Sequence, residues 1–383
     1  MTAPEPPAEG PRRRRTAARS RGAGVRIAEV AKIAGVSTAT VSRALAAPDL
    51  VAEETRQRVL EAVRSSGYTP NLAARTLRVA RSRLVLVVIP NIITPFFSEL
   101  LLGVDRALSE GGYGMLIGNL HDRPKKVELL LDLVFSGAVD GVILLDGKIL
   151  ETAERTLAGS DVPMVAVGVP TGRDVPRVLV TEREASEEVA RHLLRLGHRR
   201  FAYLAGPEGN YNDAQRWEGY CAGLASAGIA PASVMRLPGD FFGAAGLAAA
   251  AAIASCPAAT RPTAMFAVSD EMAIAFLAGV RARGLRVPED LSLVGFDGIT
   301  FADYTTPMLT TVRQPREALG RSAVAMLLRS IDGATILPDE RELRLEAQLR
   351  IGGSTGAAPP DAGRGGSRAD TSRSTAGSAT VSA

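Results

Sequence analysis

The sequence is poor in cysteine, aromatic residues and long apolar runs, and each shortage argues against a class of protein. Two cysteines, Cys221 and Cys256, are too few for a disulfide framework or a four-ligand zinc site. The longest apolar runs, such as residues 84–89, have the length of a strand and are too short to cross a bilayer. Arginines occupy positions 12–15, but no apolar segment follows them as an export signal requires. We therefore expect a cytoplasmic protein that does not bind a membrane.

Positive charge is concentrated at one end of the chain. Residues 1–83 hold 16 lysines and arginines against 7 acidic residues, whereas residues 84–383 hold 29 against 34. A basic first fifth on a mildly acidic body predicts that only the N-terminal part meets a polyanion. By itself, the same pattern also fits a solvated basic tail.

Composition divides the chain into five parts. Residues 1–24 are rich in Pro, Ala, Gly and Arg, and residues 353–383 in Gly, Ser, Ala and Thr, so both are predicted to be disordered tails. Between them we expect a compact helical domain at 25–70, a hinge and linker at 71–83, and a long body at 84–352.

The body alternates short apolar runs with amphipathic helical stretches, a pattern typical of doubly wound parallel sheets. About 270 residues is long for one open sheet, so two lobes are predicted. Ligands of such folds bind where the strands end. Polar residues follow several predicted strands, which indicates a cleft for a polar small molecule: Asn91, Asp146, Asp270 and Asp297.

Residues 27–45 have the pattern of a helix-turn-helix, reading IAEVAKIAGVSTATVSRAL. Ile27, Val30, Ala31 and Ala34 share one helical face, and Gly35 permits a tight turn. Ser37 is a natural N-cap for the second helix. A third helix at 53–66 would complete a small core through Val59, Leu60 and Val63.

The second helix of this motif is the one that enters the major groove of DNA. Thr38, Ala39 and Thr40 lie at its start, where their methyl and hydroxyl groups can reach base edges. Ser42 and Arg43 can bond to phosphate or to guanine. The partner predicted from these residues is double-stranded DNA.

The chain resembles the lactose-repressor/galactose-repressor family over residues 25–352. The matching stretches, in the family's order, are VAEETRQRVLEAV, GYTPNLAARTL, IPNIITPFFSELL, GAVDGVILL, LGHRRFAYLAGP, RPTAMFAVSDEMA, LRVPEDLSLVGFDG and TPMLTTVRQP. The resemblance implies an all-α headpiece and a two-lobed α/β effector domain like a periplasmic binding protein. It implies that the chain passes between the lobes near residues 181–184, 312–316 and 341–345. It also implies a homodimer on an inverted-repeat operator, with higher assembly left open.

The linker is expected to act as a switch. Residues 72–78 suit a short basic helix, which is marginal in water by itself because helix nucleation is costly. The resemblance implies that this hinge helix pairs with its dimer mate in the minor groove, where Leu77 wedges between base pairs. Asn71, Ala73, Ala74 and Arg78 belong to the same implied contact. An ordinary interdomain linker is the alternative reading of these residues.

The resemblance also implies an effector site, whose residues are Phe96, Phe97, Arg216, Phe241, Ser269, Asp297 and Gln314. The chain departs from the family pattern at Thr181 and Glu182, where many members have Asp-Asn, and at Ile93 and Thr94. We expect one lobe's share of the pocket to be less acidic and more apolar for this reason. A sugar or sugar derivative is the first expectation and a nucleoside-like ligand the second, and induction and corepression both stay open.

Two other classes of protein share features with this sequence. A two-lobed small-molecule binding protein would share the body but lack the helix-turn-helix. An enzyme is not expected, because the Gly-rich stretches at 111–114 and 141–149 fit neither a dinucleotide-binding nor a phosphate-binding motif. No nucleophile turn is present, and His121, His192 and His198 have no metal-ligand spacing. No cofactor or metal is therefore predicted.

Overall fold

The structure is a computed structural model that describes residues 25–68, 81–121, 124–145, 147–171 and 174–360. The chain divides into two compact units at Ser82. In the described part of the chain, no helix combines the length and apolarity needed to span a bilayer.

The first unit is a three-helix domain. Its helices are α1 (Ile27–Ala34), α2 (Thr38–Ala46) and α3 (Glu53–Ser66). Gly35 ends α1 in the left-handed region at φ 67°, as the predicted turn requires. The Ser37 hydroxyl caps α2 by accepting a hydrogen bond from the Thr40 backbone N–H at 3.1 Å. The fold of this domain therefore follows from local signals that adjoin one another in the sequence.

The small core of this domain lies between the three helices. Val30, Val41 and Val59 are fully buried in it. On α3 the second buried position is Ala62, whereas Leu60 and Val63 are only half-buried, so the predicted core face of α3 is slightly rotated.

The second unit contains two six-stranded sheets with helices packed against them. The elements of the first lobe are β1 (Leu84–Ile89), α4 (Phe96–Glu110), β2 (Gly114–Asn119), α5 (Pro124–Phe135), β3 (Gly141–Leu144), β4 (Met164–Val167), β5 (Arg177–Val180), α10 (Arg316–Ile331) and β11 (Glu342–Leu345). Those of the second are α6 (Glu182–Arg195), β6 (Phe201–Leu204), α7 (Tyr211–Ala225), β7 (Met235–Leu237), α8 (Gly243–Ser255), β8 (Ala264–Ala267), α9 (Asp270–Arg281), β9 (Ser292–Asp297), β10 (Thr310–Arg313) and β12 (Gln348–Arg350).

The strand order places the ends of many parallel strands at one edge of each sheet. The first sheet runs β11-β5-β4-β3-β1-β2 and is parallel throughout. The second runs β12-β10-β9-β8-β6-β7, with only the β12–β10 pair antiparallel. The chain passes from one sheet to the other after β5, after β10 and between β11 and β12. The predicted two-lobed α/β class is therefore confirmed.

The body extends beyond the boundary expected at residue 352. Ser354 is fully buried. Its hydroxyl accepts from the Thr310 N–H at 2.8 Å and donates to the Leu293 carbonyl at 2.6 Å. The Ala358 N–H donates to the Leu196 carbonyl at 2.8 Å. The prediction that the flexible tail begins at 353 was wrong for these residues, because small polar side chains that look like a tail here satisfy buried backbone groups.

Candidate functional site

The start of α2 presents a row of exposed side chains. Thr38, Ala39 and Arg43 are exposed, whereas Val41 on the opposite face is fully buried. The Thr40 hydroxyl lies 2.9 Å from the Ser37 hydroxyl, so it is already engaged in the local capping arrangement. The amphipathic division of α2 leaves the predicted DNA-reading face outside the domain core.

Other predicted positions lie outside the described residues. These are the implied hinge-helix contacts Asn71, Ala73, Ala74, Leu77 and Arg78, and the strand-end carboxylate Asp146.

A cavity of about 550 Å³ lies at the strand ends of the two lobes. The first lobe contributes walls from the segments that follow β1, β3 and β4, and the second from those that follow β6, β8 and β9. All seven residues named for the effector site line this cavity: Phe96, Phe97, Arg216, Phe241, Ser269, Asp297 and Gln314. The volume is that of a site for a small organic molecule.

Arg216, on the first half of α7, forms a buried ion pair with Glu182 at the start of α6. Its Nε donates to Glu182 Oε2 at 2.9 Å and its Nη2 to Oε1 at 3.1 Å, while Nη1 donates to the Val268 carbonyl. The two side chains are only 4% and 5% exposed. This is the parallel two-bond geometry that guanidinium and carboxylate groups favour.

The pair corrects one expectation from the sequence. Glu182 was expected to leave its lobe's share of the pocket less acidic, yet it supplies a buried carboxylate in the cavity wall. Burial raises the pKa of Glu182, and Arg216 opposes that shift. Burial alone would lower the pKa of Arg216, but the carboxylates of Glu182 and Asp297 outweigh it and the net shift is upward. We take the pair as charged, because its geometry is that of an ion pair.

Asp297, at the end of β9, is held by Gln314 from the segment after β10. Gln314 donates its Nε2–H to Asp297 Oδ1 at 2.9 Å, and the Arg216 Nη2 lies 4.0 Å from the same oxygen. Burial raises the pKa of Asp297 to about 7, against the lowering effect of Arg216 and Arg316. Its φ of 114° is unusual for a residue with a side chain. Such strain persists at sites where the surroundings enforce it, and here it turns a carboxyl group into the cavity.

Asp270 is the second strand-end acid of this lobe, and its contacts are structural. It accepts hydrogen bonds from the Ile299 N–H at 2.8 Å and from the Thr311 hydroxyl, and it is fully buried. Burial, together with the charge of Asp297, raises the pKa of Asp270 to about 8. It therefore ties α9 to the segment that follows β9 and to β10 itself, and it does not line the cavity.

The aromatic wall is set by backbone contacts. Phe241 has a φ of 74°, and the Ser269 hydroxyl donates to its carbonyl at 3.1 Å while also accepting from the Met272 N–H. A Cβ placed on Gly206 would lie 2.6 Å from the Phe241 ring, so that ring rests on bare backbone. On the facing lobe, Phe96 and Phe97 meet edge to face at 5.2 Å.

Asn91, which follows β1, is a polar wall residue with unused hydrogen-bonding capacity. Its Oδ1 accepts from the Ile93 N–H at 3.2 Å. The side chain is 6% exposed and its Nδ2 has no partner. An amide N–H in a cavity wall is thus left for an acceptor atom of a ligand. Its place at a strand end was the signal in the sequence, although its role as an open donor was not apparent there.

Comparison with known proteins identifies the same two parts of the chain. Residues 26–71 match the model of the lacI family of bacterial regulatory proteins, and residues 190–355 match that of a periplasmic binding protein-like domain. The HTH-type transcriptional repressor CytR of Escherichia coli K12 is 36% identical over 332 residues, which cover 86% of this chain and 96% of CytR.

Solved structures of transcription regulators also match this chain. The transcriptional regulator CelR in its cellobiose complex matches with 33% identity and a TM-score of 0.65, over 86% of this chain and 99% of CelR. The lac repressor dimer bound to operator and the anti-inducer ONPF matches with 25% identity and a TM-score of 0.74, over 87% of this chain and 99% of the other.

A helix-turn-helix domain followed by a two-lobed domain with a ligand-sized cavity defines a class, the effector-controlled DNA-binding regulators of transcription. This chain belongs to the lacI family of that class. The resemblance and the regulatory function predicted from the sequence are both confirmed.

Proposed function

We propose that the protein is a repressor that binds an inverted-repeat operator as a homodimer and changes its operator affinity when a sugar or sugar derivative occupies the cavity. A regulator of this kind acts where the chromosomal operator lies, in the cytoplasm. The proposal includes no catalytic step, and CytR, CelR and the lac repressor are all transcription regulators.

The observation that carries the DNA-binding part is the exposed start of α2. Thr38 and Ala39 place methyl groups outside the core, and Arg43 lies beyond them on the same helix. A helix presented in this way enters the major groove, and two copies related by symmetry read two half-sites. An inverted repeat is the matching DNA sequence.

The observation that supports a sugar is the make-up of the cavity. Aromatic rings from both lobes provide flat apolar faces, while Arg216, Asp297, Gln314 and Asn91 provide polar groups between them. This combination suits a molecule with polar edges and apolar faces. CelR, a relative with 33% identity, is seen with cellobiose.

The test is a fluorescence-anisotropy titration of the full chain against DNA from upstream of its own gene, at several salt concentrations. We expect selective binding that weakens as salt rises, because lysine and arginine contacts to phosphate release counterions. Arg43→Ala should reduce affinity and lower the salt dependence. Arg283→Ala, which removes the same charge from an exposed site on the body, is the matched control.

Equal binding to operator and scrambled DNA would contradict the proposal. So would equal effects of the two arginine variants, because the charge of the whole chain would then explain the binding. A stoichiometry of one chain per operator would contradict the dimer.

A further inference from the structure

Arg216, in the cavity wall, already forms its two-bond contact with a carboxylate of the protein itself. Glu182 occupies the fork of Arg216 through two hydrogen bonds, and the Val268 carbonyl takes a third N–H. On the second edge of the guanidinium, Nη1 already donates to the Val268 carbonyl and Nη2 lies 4.0 Å from Asp297 Oδ1. An incoming carboxylate or phosphate that approached the Nε/Nη2 edge would find it filled. To bind there it would have to displace Glu182 and leave a buried carboxylate without its partner, which is unfavourable.

The remaining charge of the wall also disfavours an anion. Five carboxylates and two basic residues line the cavity: Glu182, Glu208, Asp240, Glu271 and Asp297, against Lys148 and Arg216. Asp297 Oδ1 lies 4.0 Å from Arg216 Nη2, so a second acidic group stands beside this guanidinium. Lys148, on the other lobe, is exposed, and so are Glu208 and Asp240, so solvent screens all three charges. The buried groups Glu182, Arg216 and Asp297 therefore dominate the wall.

The cavity wall nevertheless offers hydrogen-bond partners for the uncharged polar groups of a ligand. The Asn91 Nδ2 is a buried donor without a partner, and Asp297 is an acceptor whose Oδ1 is shared with Gln314. A hydroxyl can accept from the first and donate to the second. Aromatic faces at Phe241 and Phe96 can cover an uncharged ring.

We propose that Glu182 sets the charge class of the effector, so that the cavity binds an uncharged polyhydroxyl molecule and rejects the matching carboxylate or phosphate. Glu182 acts by occupying Arg216, and its own carboxylate need not touch the ligand. The inference rests on the proposed function, whose effector it restricts to neutral molecules.

The test is a calorimetric and thermal-shift comparison of matched pairs on the full-length protein. The pairs are cellobiose and cellobionate, glucose and glucuronate, ribose and ribose 5-phosphate, and adenosine and its 5′-monophosphate. We expect binding by a neutral member and at least about tenfold weaker binding by its anionic counterpart, a difference of about 1.4 kcal/mol.

The Glu182→Gln variant should reverse this preference. Without the carboxylate, Arg216 offers its fork to a ligand, and the anionic member of the binding pair should gain about tenfold or more. Glu188→Gln, on the exposed face of the same helix, removes an equal charge and should leave the wild-type preference. The melting temperature of each variant shows whether it is folded before titration.

Three results would overturn the inference: an anion that binds the wild type as tightly as its neutral partner, the absence of binding by every neutral member, or an unchanged preference in Glu182→Gln. Operator titrations on the same preparations separate this failure from that of the proposed function. If operator binding responds to an anionic ligand, the protein is a regulator and the charge rule is wrong. If no selective DNA binding is found, the regulator proposal fails while the ligand preference is still measured.

Discussion

The guanidinium of Arg216 lies over the ring of Phe296, with its Cζ 3.8 Å from the ring centroid. One edge of the same guanidinium is hydrogen-bonded to Glu182. The positive charge of Arg216 is therefore stabilised both by the π system of Phe296 and by the carboxylate of Glu182. The side chains of Glu182 and Arg216 are both almost fully buried. If one of them is replaced by an uncharged residue, water has little access to solvate the charge of the other.

Replacing Arg216 by Met should therefore destabilise the body. The variant leaves Glu182 buried without a counter-charge, and breaking such a pair costs about 3–5 kcal/mol of the free energy of unfolding. The double variant Glu182→Gln/Arg216→Met removes both charges and should recover most of that loss. Urea unfolding of the three proteins measures it. A double variant as unstable as the single one would show that lost packing, rather than the buried charge, is responsible.

The stability of the body should fall as pH rises from about 4 to about 8. The pKa of Asp270 is raised to about 8 by burial and by Asp297, so the folded state holds a proton that an unfolded carboxyl, with a pKa near 3.8, has released. Each such proton contributes a slope of roughly 1.4 kcal/mol per pH unit in that window, and stability decreases toward the upper end.

Asp270→Asn should flatten this dependence, since the amide cannot ionise but can still accept from Ile299 and meet Thr311. Thermal melts of wild type and variant between pH 5 and pH 8 provide the comparison. Asp105→Asn, at an exposed site on α4, is the control. Identical pH profiles for wild type and Asp270→Asn would refute the assignment.

Gly206→Ala should weaken effector binding. The added methyl would lie 2.6 Å from the Phe241 ring, which must shift to make room. Overpacking of this kind costs about 1–3 kcal/mol, and we expect effector affinity to fall by about tenfold. Gly159→Ala adds the same methyl where the nearest atom lies at 3.9 Å. If calorimetry gives both variants the wild-type affinity, the Phe241 ring does not contact the ligand.

Ser37→Ala should loosen the start of α2. It removes the side-chain acceptor of the Thr40 N–H, which costs about 1 kcal/mol of helix stability. The expected results are faster hydrogen exchange at the first amides of α2 and weaker operator binding. Ser37→Asn retains a capping oxygen and should behave like the wild type. Equal losses in both variants would mean that the cap is not the cause.

Much of the fold could be predicted because its signals are local. Gly35 and Ser37 adjoin the helices whose ends they fix, and buried runs such as that of β1 are apolar throughout. Other elements lack such contrast in the sequence. β10 begins with Thr310 and Thr311, which are polar yet fully buried, and α8 is so rich in alanine that no face stands out.

The sequence by itself determined the helix-turn-helix and its exposed face and the alternation that builds two sheets, and the family resemblance named seven residues that line the cavity. Only the tertiary structure decided what those residues do to one another. Glu182 and Arg216 are 34 positions apart and meet because α6 and α7 pack side by side. Asp270 and Asp297 look alike as strand-end acids, yet one ties the backbone together and the other faces the cavity. Burial and helix ends follow from residues that are neighbours in the sequence, so local patterns predict them. The partner of a buried charge depends on which distant segments pack together in the folded protein, so local patterns do not predict it.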